Sequence, residues 1–216
     1  ELKDDFFSNV FSFIFGGEQT SHWLVQPVGI AVSSTGKLYI TDPGASGIHI
    51  IDQTEKEYDF INETDEGNFR SPVGCAISDD GTIFISDSER GDILALDDDN
   101  DVLFQIKEHL VRPTGIQIHD NRLYITDTGQ HKIVVFDLDG KYITEFGQRG
   151  DGVGEFNFPV QLAVRDSLMV LDAVNYRVQK FNLAGNFSST FGKLGNVAGR
   201  FASPKAIALD SDGNMY

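Results

Sequence analysis

Apolar residues in this chain come in short runs, broken by clusters of Gly, Asp, Asn and Pro. One stretch shows the pattern. Gly115 to Ile118, Leu123 to Thr126, Ile133 to Asp137 and Tyr142 to Phe146 are rich in Ile, Val, Tyr and Phe, which predicts four short strands, here called a to d. Between a and b stand Ser34-Thr35-Gly36, Asp79-Asp80-Gly81 and His119-Asp120-Asn121; between c and d stand Asp97 to Asp101, Asp137 to Gly140 and Asn182 to Gly185. Such residues build tight hairpins, because Gly, Asn and Asp tolerate the positive φ that these turns demand. No segment sustains a helical period. The chain is predicted to be all-β.

The pattern then repeats. Pro27-Val28-Gly29-Ile30-Ala31-Val32 leads to Leu38-Tyr39-Ile40-Thr41-Asp42, and the phrase recurs from Pro72 to Asp87, Pro113 to Asp127 and Pro159 to Asp172. The prolines stand 45, 41 and 46 residues apart, and a fifth copy opens at Pro204. A period of this length built from short strands signals the blades of a β-propeller. Each unit ends in a Gly-rich connector, clearest in Phe146-Gly147 through Gly150, Gly154 and Phe156 to Pro159, and again from Phe191-Gly192 to Phe201 and Pro204.

That connector, the phrase Leu123-Tyr124-Ile125-Thr126-Asp127 and the element Asn175-Tyr176-Arg177-Val178 together resemble the NHL repeat. The resemblance runs from residue 11 to 216 and implies a closed propeller, usually six-bladed. It is imperfect: the connector Glu66 to Ser71 is short, and the Asn-x-Arg element is clear only in the fourth unit. At about 44 residues each, six blades need about 265 residues. One propeller domain over 1–216 is therefore expected to be incomplete. Residues 1–26 hold a stray outer strand (Phe11 to Phe15) and connector, 27–203 four blades, and 204–216 the start of a fifth. The remaining blades would come from the rest of the chain or from another chain.

Composition narrows the function classes. Thirty-three acidic residues against 17 basic ones leave a net charge of −16, the wrong sign for the polyanion contacts that dominate nucleic-acid affinity. No run approaches the roughly 18 apolar residues of a membrane span. The resemblance, with a start at Glu1 instead of Met, points to a bacterial protein outside the cytoplasm, secreted or periplasmic. The one cysteine, Cys75, falls in an inner strand as a small buried residue.

Several motifs invite chemistry. Asp97, Asp99, Asp101 and Glu108 have the spacing of an EF-hand loop, but Val102 stands where the turn needs Gly, so a solvated c–d hairpin is expected. Asp42, Asp87, Asp127 and Asp172 close strand b in every unit, which suits a structural acceptor of loop amides better than a catalyst. Arg90-Gly91-Asp92 and Arg149-Gly150-Asp151 spell the integrin tripeptide where the repeat already wants Gly and polar residues. None of His22, His49, His109, His119 and His131 pairs at zinc-site spacing or falls in a predicted inner strand. No metal, cofactor or catalytic residue is assigned.

Strand alternation puts the d–a connectors and b–c loops on one face of the disc and the a–b and c–d turns on the other. The turn face collects Asp; the connector face collects Arg70, Arg90, Arg112, Arg149, Arg177 and Arg200, with Trp23, His131 and Tyr176 as stacking contacts. Arg suits bidentate recognition of carboxylate or phosphate. The sequence thus reads as a non-catalytic binding or scaffold module that meets a protein or anionic ligand at Arg70, Arg90, Arg112, His131, Arg149, Tyr176 and Arg177. The alternative is a metal-dependent propeller lyase or hydrolase acting at the central channel.

Overall fold

The structure, a computed structural model, describes residues 24–210 and 212–216. The expected stray strand at Phe11 to Phe15 and the stacking residue Trp23 lie outside the described residues. Four sheets follow one another, each of four antiparallel strands in sequence order. The first holds β1 (Gly29–Val32), β2 (Lys37–Asp42), β3 (Gly47–Asp52) and β4 (Glu57–Ile61). A small hairpin, β5 (Glu63–Thr64) with β6 (Gly67–Asn68), fills the connector that the sequence showed only as short. The second sheet is β7 (Pro72–Ile77), β8 (Ile83–Asp87), β9 (Asp92–Leu96) and β10 (Val102–Ile106). The third is β11 (Pro113–His119), β12 (Arg122–Asp127), β13 (Lys132–Asp137) and β14 (Tyr142–Phe146). The fourth is β15 (Pro159–Val164), β16 (Leu168–Asp172), β17 (Arg177–Phe181) and β18 (Phe187–Phe191). The first strands touch in turn, β1 on β7, β7 on β11 and β11 on β15.

Burial explains why strands b and c read as continuous apolar runs while strand d does not. A middle strand is covered on both faces by neighbouring blades, so both sets of alternating side chains must be apolar. All of β8 and β9 is buried, whereas most of β14 is exposed. The two faces serve different cores. Ile83, Ile85, Leu94 and Leu96 pack with Tyr39, Ile48 and Ile50 of the first blade; Phe84, Ile93 and Ala95 pack with Ile116, Ile125 and Phe136 of the third. Residues past Pro204 extend the series: Ile207 is buried against Leu171 and Val178, and Leu209 bridges Met215.

The sequence placed His119 in a turn, but it closes β11, paired with Arg122. One histidine therefore does stand on an inner strand. The turn itself shrinks to Asp120 and Asn121, both at positive φ (48° and 55°), the geometry of a two-residue hairpin.

One glycine in each of the first three inner strands is fixed by the next blade. Gly29, Gly74 and Gly115 each donate their amide to a hydroxyl on strand b: Thr41 (2.9 Å), Ser86 (2.9 Å) and Thr126 (2.7 Å). The first two hydroxyls donate onward to the neighbouring inner strand, at Val73 O (2.7 Å) and Thr114 O (2.5 Å), and Thr126 Oγ1 lies 3.4 Å from Val160 O. A Cβ on Gly74 would strike the Thr114 carbonyl and come within 2.8 Å of Ile116 Cγ2. In the fourth blade both members change together, to Gln161 and Leu171. Gly74→Ala is therefore expected to cost about 2 to 3 kcal/mol, read as a lower chemical-denaturation midpoint. An unchanged midpoint would show that the blades can part to admit a methyl group.

Candidate functional site

Strand direction decides which residues share an end of the disc. Strand b ends beside the connector that enters its own blade, and a buried carboxylate joins the two. Asp42 accepts the amides of Val25 (2.7 Å), Gln26 (2.9 Å) and Ala45 (3.0 Å). Asp87 accepts those of Arg70 (2.7 Å), Ser71 (2.9 Å), Glu89 and Arg90 (both 3.1 Å). Asp127 takes Val111 (2.7 Å), Arg112 (3.2 Å) and Gln130 (2.9 Å). Asp172 takes Asn157 N (2.6 Å), Asn175 Nδ2 (2.8 Å) and Arg177 Nε (2.8 Å). All four carboxylates are buried. Burial pushes the Asp42 carboxyl up, but the three amides, with His49 Nε2 at 3.4 Å, outweigh it and hold the group below the usual range. These acids are structural acceptors, the role their repetition implied.

The structure separates the arginines into two groups. Arg90 and Arg177 are clamps, with side chains only 9% and 14% exposed. Arg90 pairs with Asp92 (3.0 Å) and donates to the carbonyls of Gly67 and Asn68 (both 3.1 Å). The first Arg-Gly-Asp tripeptide is thus closed on itself. Arg177 pairs with Asp172 and donates to the carbonyls of Asp151 (2.7 Å), Gly152 (2.9 Å) and Glu155 (2.8 Å). Their expected ligand contacts are corrected on this point, because the connectors already occupy the guanidinium groups. Arg70, Arg112 and Arg149 are exposed, each in a connector.

Around them lie residues that the charge pattern did not reveal. Val111, Val153, Phe158 and Val174 are exposed on connectors and a b–c loop, Val153 by 69% and Phe158 by 42%. The available signal was a large apolar residue outside any strand. Three neighbouring side chains also hold a costly backbone. The last b–c loop residue sits at positive φ in every blade: Ser46 (51°), Gly91 (72°), His131 (57°) and Tyr176 (53°). Phe158, at φ 57°, precedes Pro159, a position pressed toward extended conformations. His131 meets Phe158 edge-on at 5.0 Å, and its Nδ1 accepts the Phe158 amide (3.2 Å). Bulky residues rarely adopt this geometry without compensation. Here its effect is to hold His131 and Phe158 against each other at the surface, in the same loops and connectors that carry the exposed arginines.

Known proteins resemble these blades. A family model, a 6-bladed beta-propeller (DUF5128), matches residues 102–192. The fold is that of a β-propeller. Selenomethionine-substituted virginiamycin B lyase from Staphylococcus aureus aligns with TM-score 0.70 and 19% identity over 90% of this chain and 63% of that one. A streptogramin B lyase structure gives 0.70 and 19% over 88% and 60%. A structure of the nidogen/laminin complex gives 0.65 and 25% over 88% and 70%. The chain spans about three fifths of the length of the lyases it matches. Likeness at these identities is likeness of fold. Among the described residues, no helix is long and apolar enough to cross a membrane, and no three His, Cys, Asp or Glu side chains group as metal ligands.

Two predictions follow from the clamps. Arg177→Ala strips the Asp172 carboxylate of its cation and three carbonyls of their donor, and should cost on the order of 3 kcal/mol; a melt within a degree of the parent would contradict it. Asp42→Asn should cost about 2 kcal/mol at neutral pH. A carboxyl depressed in the folded state stabilises above its unfolded pKa, about 3.9, and the benefit is lost as pH falls through the folded value. The gap between parent and Asp42→Asn melting temperatures should therefore narrow below about pH 4.

Proposed function

We propose that this chain is an NHL-type, non-catalytic propeller that binds a protein or other anionic partner through its connector face. The reading rests on the exposed trio Arg70, Arg112 and Arg149, set among Val111, Val153, Phe158 and Val174 and beside His131 and Tyr176. Arginine and aromatic side chains supply most of the energy of protein interfaces, and a rigid loop that holds them ready lowers the entropy lost on docking. The net charge of −16 does not oppose an acidic partner here, because screening limits each charge to about 8 Å at physiological salt and the local potential governs docking. One similar structure is a nidogen/laminin complex, an instance of such a fold in a protein assembly. The occupant favoured by this chemistry is an acidic segment carrying an apolar or aromatic side chain.

The test is selection of displayed peptides on the immobilised protein, followed by affinity measurement with Arg112→Ala/Arg149→Ala. Acid-rich peptides should be recovered. The double variant should bind on the order of tenfold more weakly, with a flatter salt dependence and an unchanged melt. Recovery of peptides without acidic bias, or equal affinity for the double variant, would reject the connector face as the site.

A further inference from the structure

One backbone amide changes its acceptor in the fourth blade. In the first three, the residue ahead of the proline donates its amide to the blade's own strand-b carboxylate: Gln26 to Asp42 (2.9 Å), Ser71 to Asp87 (2.9 Å) and Arg112 to Asp127 (3.2 Å). Phe158 breaks the series. Its amide turns to the neighbouring blade and is accepted by His131 Nδ1 at 3.2 Å. Asp172 nevertheless lies close by, since it takes the amide of Asn157, one residue earlier, at 2.6 Å. The backbone bears the cost: Phe158 is at φ 57° ahead of Pro159, whereas Gln26, Ser71 and Arg112 keep negative φ.

The substituted acceptor is one that titrates. A backbone amide can only donate, so the bond requires a lone pair on Nδ1 and leaves the proton of the neutral ring on Nε2. Protonation removes that lone pair and sets one N–H against another. A carboxylate keeps its lone pairs between about pH 5 and 8, the range in which imidazoles change charge. The charged groups around the ring are already engaged or face water. In its own blade, Lys132 pairs with Glu145 (2.7 Å), and Asp127 is taken by amides. In the connector that carries Phe158, Glu155 is held by Gln148 Nε2 (2.8 Å) and Gly152 N (2.9 Å), while Arg149 and Asp151 are exposed. On the fourth blade Asp172 is locked to Arg177 (2.8 Å). The preceding connector brings Arg112 to Gly129 and the His109 carbonyl to Gln130. Among the described residues, the histidines that pair with a carboxylate are His49 and His119, not His131.

We propose that His131 and Phe158 form a proton-operated switch between the third and fourth blades. With the imidazole neutral, Phe158 is held in the left-handed conformation, 42% exposed and edge-on to His131 at 5.0 Å. Once the ring is protonated the Nδ1 bond breaks, and the Phe158 amide turns back to Asp172, the arrangement that the first three blades display. The change is local, because the Phe158 carbonyl accepts Ala173 N (3.2 Å) and Pro159 pairs with Asp172 in the sheet. It reshapes the connector face whether or not that face takes a partner.

Nuclear magnetic resonance of the full chain, titrated from about pH 8 to about pH 5, tests this without any ligand. The Phe158 amide and His131 Hε1 resonances should move together with one midpoint, and cross-relaxation between the two rings should disappear on the acid side. His131→Asn keeps a residue that tolerates positive φ but cannot titrate, and should abolish the movement of the Phe158 amide. A Phe158 amide that stays in place while His131 titrates would refute the switch, and the parent chain alone decides this. The same movement in His131→Asn would refute it too, by assigning the effect to another group.

Discussion

The rest of the structure depends on a buried carboxylate that ends strand b of every blade. Moving an ion out of water costs several kcal/mol, and only a full set of charge-assisted hydrogen bonds recovers it. Asp87 recovers it from four backbone amides, two in the connector ahead of its blade and two in its own b–c loop. Those amides would otherwise lie in irregular backbone with no ladder to satisfy them. One side chain thus fixes two loops and the angle at which the chain enters its own blade. Because the lock uses backbone donors, the loop side chains are released from structural duty. That freedom lets Val111 and Arg112 sit in the connector that Asp127 holds and still face solvent.

The blades are joined by a second, subtler device. The hydroxyls of Thr41 and Ser86 each tie an inner strand to its own neighbour and to the inner strand of the next blade. The approach this requires leaves no room for a Cβ, so Gly29 and Gly74 are set by the geometry of the interface, not by backbone torsion. Gln161 opposite Leu171 is the control supplied by the chain itself. Where the hydroxyl is gone, the glycine is gone, and the side-chain oxygen of Gln161 instead lies near Gly115.

Much of this was legible in the sequence. The period, the four strands, the hairpin turns and the structural use of the repeated Asp all follow from local chemistry that a single chain displays. The fates of individual arginines were not legible. Arg90 and Arg149 both begin an Arg-Gly-Asp tripeptide, yet Arg90 is buried on Asp92 and the β6 carbonyls while Arg149 faces water. The difference lies in whether a buried carboxylate and free carbonyls wait within reach, and these belong to segments distant along the chain. The surface aromatics escaped notice for a related reason. Phe158 looks like a connector residue bound for the core, as Phe156 is, and only its φ of 57° turns it outward.

The acidity of the turn face has the form of a design choice. Asp52, Asp97, Asp137 and Asp210 each accept, on one carboxylate oxygen, the amide two residues ahead, and the last three also accept the amide four ahead. Asn182 performs the same task in the fourth blade with a neutral amide, at 3.0 and 2.9 Å. The turn therefore needs an oxygen and has no use for the charge. Asp in place of Asn leaves a second, charged oxygen at each hairpin, which at Asp210 accepts from Asn214 Nδ2 (2.8 Å) and Tyr216 Oη (3.1 Å). Repulsion among these charges costs little where the turns face water. The neutral turn at Asn182 shows that the hairpins do not need the charge, so the acidity of this face adds to the net charge of −16 without being required by the turns that carry it.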